Sequence, residues 1–226
     1  MRDALERHIE VPKTARYWVL GEDVPHPDEL WCVLHGYRQL AARFLRRFEG
    51  IADGSRRIVA PEALSRFYVN PEPGRHGAAS VVGGTWMTRE DRENEIRDYV
   101  RYLDMLHDEV SIEGVPTTVL AFSQGVATAC RWIAYGRLRP RRLVLWGDYL
   151  PPDLDMEAAR SAFTDTELLI VRGTEDPALN EDLRAREKAR LDSAGISYRF
   201  VSYEGGHDIH VETLRELAGE ATLGDF

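Results

Sequence analysis

Three polar residues, each in a short stretch containing glycine, carry the chemistry this sequence could perform: Ser123 in "AFSQG", Asp176 in "GTEDP" and His207 in "GGHDI". A serine hydroxyl is a poor nucleophile until a base removes its proton, and an imidazole base needs an anionic partner to fix its tautomer and stabilise the imidazolium. The chain supplies such groups in the order Ser, Asp, His, one of the orders in which acyl-transfer triads are built. Asp148, in "LVLWGDYLPP", also follows a strand-like run and is a rival for the acid. Asp176 is preferred because its strand directly precedes the one leading to His207.

The serine lies where "TTVLAF" passes into "QGVATACRWIAYG" with no room for a loop. So sharp a strand-to-helix turn strains the serine backbone and demands small residues two positions to either side, here Ala121 and Gly125. The free amides of the helix N-terminus then point at the serine and favour developing negative charge. A tetrahedral oxyanion needs two donors. The backbone N–H of Gln124 is one candidate and that of Tyr37, in "CVLHGYRQ", the other, with Gly36 permitting close backbone approach. His35 is expected to be structural, bonding within its own loop. Phe67, Tyr68, Trp86 and Phe122 are candidate pocket walls, and Asp148 would add negative charge near that pocket, which by itself repels anionic substrate groups.

The elements that must position these residues follow from hydrophobic periodicity. "LWCVLHG", "RRIVAPE", "TTVLAFS", "RRLVLWGD", "ELLIVRG" and "YRFVSYEGG" show little alternation and predict strands buried on both faces. Amphipathic stretches separate them. Arg89 to Val110 predicts a helix, with Thr88 and Asp91 as a capping box, and Asn180 predicts the cap of another. The helix after Ser123 is apolar around most of its circumference and should be central, stopping at Gly136. Alternating strands and helices predict an α/β fold, a mostly parallel sheet with helices on both faces and ligands at the carboxyl ends of the strands. "LERHIEVP" and "ARYWVLGE" predict an antiparallel hairpin at the sheet edge. Residues 65–88 and 147–165 interrupt the regularity as long excursions, and segments of such length are often functional. The strand pattern continues past both, so residues 1–226 are read as one domain.

Composition excludes some partners. Thirty-eight acidic against 29 basic residues give a net charge of −9, and the short basic pairs are interleaved with acids, which argues against nucleic acid as a partner. The start, "MRDALERHIEVP", lacks the apolar core of a signal peptide, and no later run reaches membrane-spanning length; a cytoplasmic protein without an integral membrane segment is expected. Cys32 and Cys130 sit in apolar runs and read as buried reduced thiols. His207 and His210 lie three apart without a third ligand nearby, so no metal is expected.

"LHGYRQ", "AFSQG", "GDYLP", "GTEDP" and "GGHDI" together resemble the α/β-hydrolase fold in its phospholipase/carboxylesterase branch, which includes acyl-protein thioesterases. The resemblance spans about residues 30 to 218. It implies that Ser123, Asp176 and His207 form the triad, that Tyr37 and Gln124 form the oxyanion hole, and that no cofactor is needed. It also implies small-molecule substrates: carboxylic esters, lysophospholipids or acyl thioesters. The sequence departs from that pattern at Ala121, where glycine is usual, and at Asp148, where a small uncharged residue is common. The same three residues would serve a peptidase or carbon–carbon hydrolase, and the fold would also suit a ligand-binding or interaction protein without turnover.

Overall fold

The apolar runs assemble into one seven-stranded sheet because each strand must bury two faces. The computed structural model describes residues 4–69, 77–178 and 180–220; part of the 65–88 excursion therefore lies outside the described residues. In chain order the strands are β1 (Tyr17–Leu20), β2 (Glu29–Leu34), β3 (Arg56–Pro61), β4 (Ser65–Tyr68), β5 (Val82–Thr85), β6 (Thr117–Phe122), β7 (Arg142–Trp146), β8 (Glu167–Gly173) and β9 (Arg199–Tyr203). The helices are α1 (Ala41–Leu45), continued by a tighter turn over Arg46–Ile51, α2 (Arg92–Val110), α3 (Gln124–Tyr135), α4 (Met156–Ala162), α5 (Glu181–Ala194) and α6 (Val211–Glu220). The sheet runs β1-β3-β2-β6-β7-β8-β9, parallel throughout except for β1.

Successive residues of one strand enter opposite cores. Cys32 and Leu34 of β2 join Ala121, Leu143 and Ile170 under α2, α3, α4 and α5. Trp31 and Val33 join Ile58, Leu120, Val144 and Leu169 under α1 and α6. Burial on both faces is the reason the strands lack alternation in sequence. β9 is the exception: as an edge strand it exposes Arg199, Phe200 and Ser202, so the expectation of full burial fails there.

The chain leaves β2 toward β3 on one side, and later continues from β6 through β7, β8 and β9 on the other. The carboxyl ends of β2 and β6 thus flank the point where strand order reverses, where a crevice opens in such sheets. The loop carrying Tyr37 follows β2, and Ser123 follows β6.

Two local expectations are corrected. β1 is antiparallel and at the edge, but it pairs with β3, Tyr17 opposite Pro61 and Leu20 opposite Ile58; residues 5–12 form no strand. Their charged, exposed sequence offers no face to bury. The predicted capping box does not form either. α2 starts at Arg92, Asp91 is left-handed at φ 47° without a side-chain cap, and Glu95 instead reaches back to accept from the Thr88 N–H. Asn180 does cap α5, its Oδ1 accepting from the Leu183 N–H at 3.1 Å, and Gly136 ends α3. Of the two excursions, 65–88 contributes the antiparallel pair β4–β5. Residues 147–165 contribute α4, capped by Asp155.

Candidate active site

Ser123 sits between β6 and α3 at φ 52° and ψ −124°, a left-handed conformation that costs an L-residue of order 1–3 kcal/mol and persists only where packing enforces it. The packing is specific. A Cβ on Gly125 would lie 2.7 Å from the Leu34 carbonyl oxygen, so glycine alone lets α3 start so close to β2. Ala121, buried and paired with Leu34 and Leu145 in the sheet, supplies the other small side chain.

His207, in the loop after β9, bridges the other two groups. Its Nδ1 lies 2.8 Å from Asp176 Oδ2 and its Nε2 3.0 Å from Ser123 Oγ. A carboxylate only accepts, so Nδ1 carries the hydrogen and Nε2 accepts from the serine hydroxyl. Asp176, in the loop after β8, is held by a second bond, from the Ala178 N–H to Oδ1 at 2.8 Å, and its side chain is fully shielded while that of His207 is 32 % exposed. The loops after β8 and β9 meet through glycine: a Cβ on Gly173 would stand 2.2 Å from the Gly205 carbonyl oxygen. Gly147, at φ +76° after β7, passes beneath the imidazole, where a Cβ would lie 3.3 Å from His207 Cε1. Phe122 packs beside the same ring at 4.9 Å between centroids. It belongs to the core and is a supporting floor for the imidazole.

The loop after β2 reaches the serine closely: a Cβ on Gly36 would lie 3.1 Å from both Ser123 Cβ and Phe122 Cδ1. Tyr37 follows directly. Gln124 is the first residue of α3, where the backbone N–H has no acceptor within the helix. Its side chain ties the sharp turn at Ser123, an elbow between β6 and α3, to the 65–88 excursion, with Oε1 accepting from the Trp86 N–H at 3.0 Å and Nε2 donating to Thr85 Oγ1 and the Met87 carbonyl, each at 3.0 Å. His35 is fully buried. Its Nδ1 donates to the Gly36 carbonyl and its Nε2 accepts from the Ala63 N–H; burial lowers its pKa below the usual histidine range, against the opposing pull of the Gly36 carbonyl and the Glu62 charge.

The structure divides the expected pocket walls. Trp86 is buried, donating its indole N–H to the His35 carbonyl at 2.8 Å, which makes it a strut behind the loop. Phe67 stacks on Tyr37 with centroids 5.2 Å apart, and Tyr68 beyond it is exposed. Asp148 does not touch His207 through a hydrogen bond; its Oδ1 accepts from the neighbouring Tyr149 N–H at 2.8 Å. Burial raises its pKa, opposed by that bond and by the His207 and Arg172 charges. With Gln124, the residue after the serine, and Ala127, Leu150 and Pro151 it lines a cavity of about 660 Å³. His210 makes no bond to Ser123, Asp176 or His207; it is stacked on Tyr203 and bonded to Thr213 Oγ1.

Sequence reasoning missed Gly147, Gly173 and the Gln124 side chain. A signal for the glycines was present: β2, β6, β7, β8 and β9 each have a glycine at or just past their carboxyl ends, Gly36, Gly125, Gly147, Gly173 and Gly205.

No family model matches the chain, and no curated protein matches it. Solved structures do. Zea mays acyl-protein thioesterase 2 superposes with a TM-score of 0.71 at 18% identity, over 93% of this chain and 99% of its own. The esterase PE8 gives 0.67 at 18% identity over 93% and 99%, and a Bacillus cereus carboxylesterase 0.60 at 16% identity over 92% and 94%. The chain has the α/β-hydrolase fold. Among the described residues no helix is long and apolar enough to cross a membrane.

Proposed function

We propose that the protein is a serine hydrolase that cleaves carboxylic esters or acyl thioesters through an acyl-Ser123 intermediate. The observation that carries this is the His207 ring held between Ser123 Oγ and the Asp176 carboxylate, on a serine whose backbone is strained into the turn. The esterase and thioesterase names of its structural neighbours support the same class of small-molecule substrate.

In this mechanism Ser123 Oγ attacks the carbonyl carbon while His207 Nε2 takes the hydroxyl proton. Asp176 holds Nδ1–H and stabilises the imidazolium. The carbonyl oxygen, now an oxyanion, accepts from the backbone N–H groups of Tyr37 and Gln124. Collapse expels the alcohol or thiol, protonated from Nε2. Water, deprotonated by the same nitrogen, then attacks the acyl-serine and releases the acid. Gly147 and Phe122 pack against the imidazole and hold its ring plane.

A fluorophosphonate probe tests the reading. Wild type should be labelled at Ser123, whereas Ser123→Ala should lose labelling and lose ester turnover by several orders of magnitude with its thermal melt unchanged. Undiminished turnover in clean Ser123→Ala protein would sink the assignment.

A further inference from the structure

The cavity lined by Gln124 and Asp148 is basic in an acidic protein. The chain carries a net charge of −9, yet five arginines, Arg89, Arg92, Arg131, Arg186 and Arg190, line this one cavity against two carboxylates, Asp148 and Glu187. Arg89 is paired with the adjacent Glu90 at 3.4 Å on the exposed rim, but the pairing of the other four leaves positive charge over. Arg92 and Arg131 share a single carboxylate, Asp153, with Arg131 Nη2 at 2.7 Å from Oδ1. Arg190 is spent on the Pro151 and Leu154 carbonyls, which hold its geometry without cancelling its charge. Arg186 is exposed and, among the described residues, makes no hydrogen bond or ion pair. On the acidic side, Glu187 is already neutralised by the buried Arg172, Nη2 to Oε2 at 2.7 Å. Only Asp148 is left to oppose the surplus.

The remaining walls, Met87, Ala127, Leu150, Pro151, Pro152 and Leu183, are apolar. Low-dielectric walls around a charged cleft focus its field and raise the local concentration of counter-charged ligand. A guanidinium with free N–H groups matches a carboxylate or phosphate in shape as well as charge. A volume of about 660 Å³ accommodates a short chain ending in such a group. We propose that this cavity receives an anionic arm, so that the preferred substrates are esters or thioesters ending in a carboxylate or phosphate a few bonds from the scissile carbonyl. The inference rests on the hydrolase reading of Ser123 for its chemistry, but on Arg186 and its neighbours for its selectivity. It reverses the expectation drawn from Asp148 alone, because the arginines outnumber that one carboxylate.

Two matched ester pairs test it. On the acyl side, para-nitrophenyl valerate is compared with para-nitrophenyl hydrogen glutarate, which replaces the terminal methyl by a carboxylate. On the alcohol side, butyl acetate is compared with its carboxylate counterpart, acetoxybutyrate. In at least one pair the anionic member should have the higher kcat/KM, by about fivefold or more at low salt. That ratio should fall by a similar factor in Arg186→Glu and with rising ionic strength, and rise in Asp148→Asn; phosphonate analogues of the favoured pair then distinguish carboxylate from phosphate. Preference for the neutral member in both pairs, or a ratio that Arg186→Glu leaves unchanged, overturns the proposal. Arg89→Glu, at a side chain 94 % exposed, serves in the same comparison should Arg186→Glu melt early. If wild type is not labelled and hydrolyses nothing, the hydrolase reading falls, and calorimetry with glutarate and inorganic phosphate decides the cavity separately: saturable binding weakened in Arg186→Glu upholds it, and no binding overturns it.

Discussion

The Asp176 carboxylate and the His207 imidazole, 31 residues apart in the chain, meet at 2.8 Å between Oδ2 and Nδ1, whereas Asp148 spends its carboxylate on the adjacent Tyr149 N–H. Both acids follow a strand of the same sheet, and only the strand order separates them: β8 is the neighbour of β9, and β7 is one place removed.

Asp176→Asn is therefore expected to lower kcat by about 10³–10⁴, because the amide allows the wrong imidazole tautomer. Asp148→Asn should change turnover of neutral esters by less than about tenfold. Steady-state assays of both variants decide, and the opposite ordering would move the acid role to Asp148.

Gly125→Ala places a methyl group 2.7 Å from the Leu34 carbonyl and 3.0 Å from that of His35. Since both obstacles are backbone, α3 must shift. A loss of about 1–3 kcal/mol in urea unfolding is expected, together with a fall in fluorophosphonate labelling, and a wild-type unfolding midpoint would show that the elbow tolerates the shift.

Acid should destabilise the fold through His35. Its folded pKa lies below the ordinary histidine value of about 6.5, because burial disfavours the charged ring. Below that value the unfolded chain takes a proton that the folded chain refuses, so stability present above about pH 6.5 is lost as pH falls toward the lowered folded value. His107 is displaced in the same direction, also through burial. Thermal melts from about pH 8 to pH 5 should show the decline in wild type and a shallower one in His35→Gln; parallel curves would exclude His35 as its source.

Burial pushes the Cys32 thiol up to about 12 and raises that of Cys130 as well. Thiolate is the reactive form, so iodoacetamide near pH 8 should modify neither residue in the folded protein and both in urea. Mass spectrometry of intact protein reads the result, and rapid modification under native conditions would contradict the packing of β2 and α3.

The sequence shows most plainly what local chemistry dictates. The run before Ser123, the small residues around it and the strand leading to Asp176 announce themselves because β6 and β8 are buried on both faces, and each site residue follows a strand end, His207 after the half-exposed edge strand β9 included. Non-local contacts leave no such mark. The β4–β5 pair was hidden among glycines that look like loop material; Gly83 and Gly84 are there because Arg38 and His35 press against them, with a Cβ on Gly83 only 2.6 Å from the Arg38 carbonyl oxygen. Trp86 looked like a pocket wall because an aromatic side chain in a long excursion reads the same whether it faces a ligand or braces His35. The five cavity arginines are spread from Arg89 to Arg190, and only the packing of α2 on α3, α3 on α4 and α4 on α5 brings their charges together.

Gln124 joins two parts of the molecule that could otherwise vary independently. Its backbone begins the helix behind the serine, while its side chain grips Thr85, Trp86 and Met87 on the β5 side. Met87 in turn touches Arg92 and Arg131 through its sulfur. A change of length or composition in the hairpin thus has a path along one side chain to the backbone amide beside Ser123, and along Met87 to the basic cavity. On the proposed hydrolase reading, a substitution in this small appendage would alter rate and substrate choice together while lying outside the main sheet.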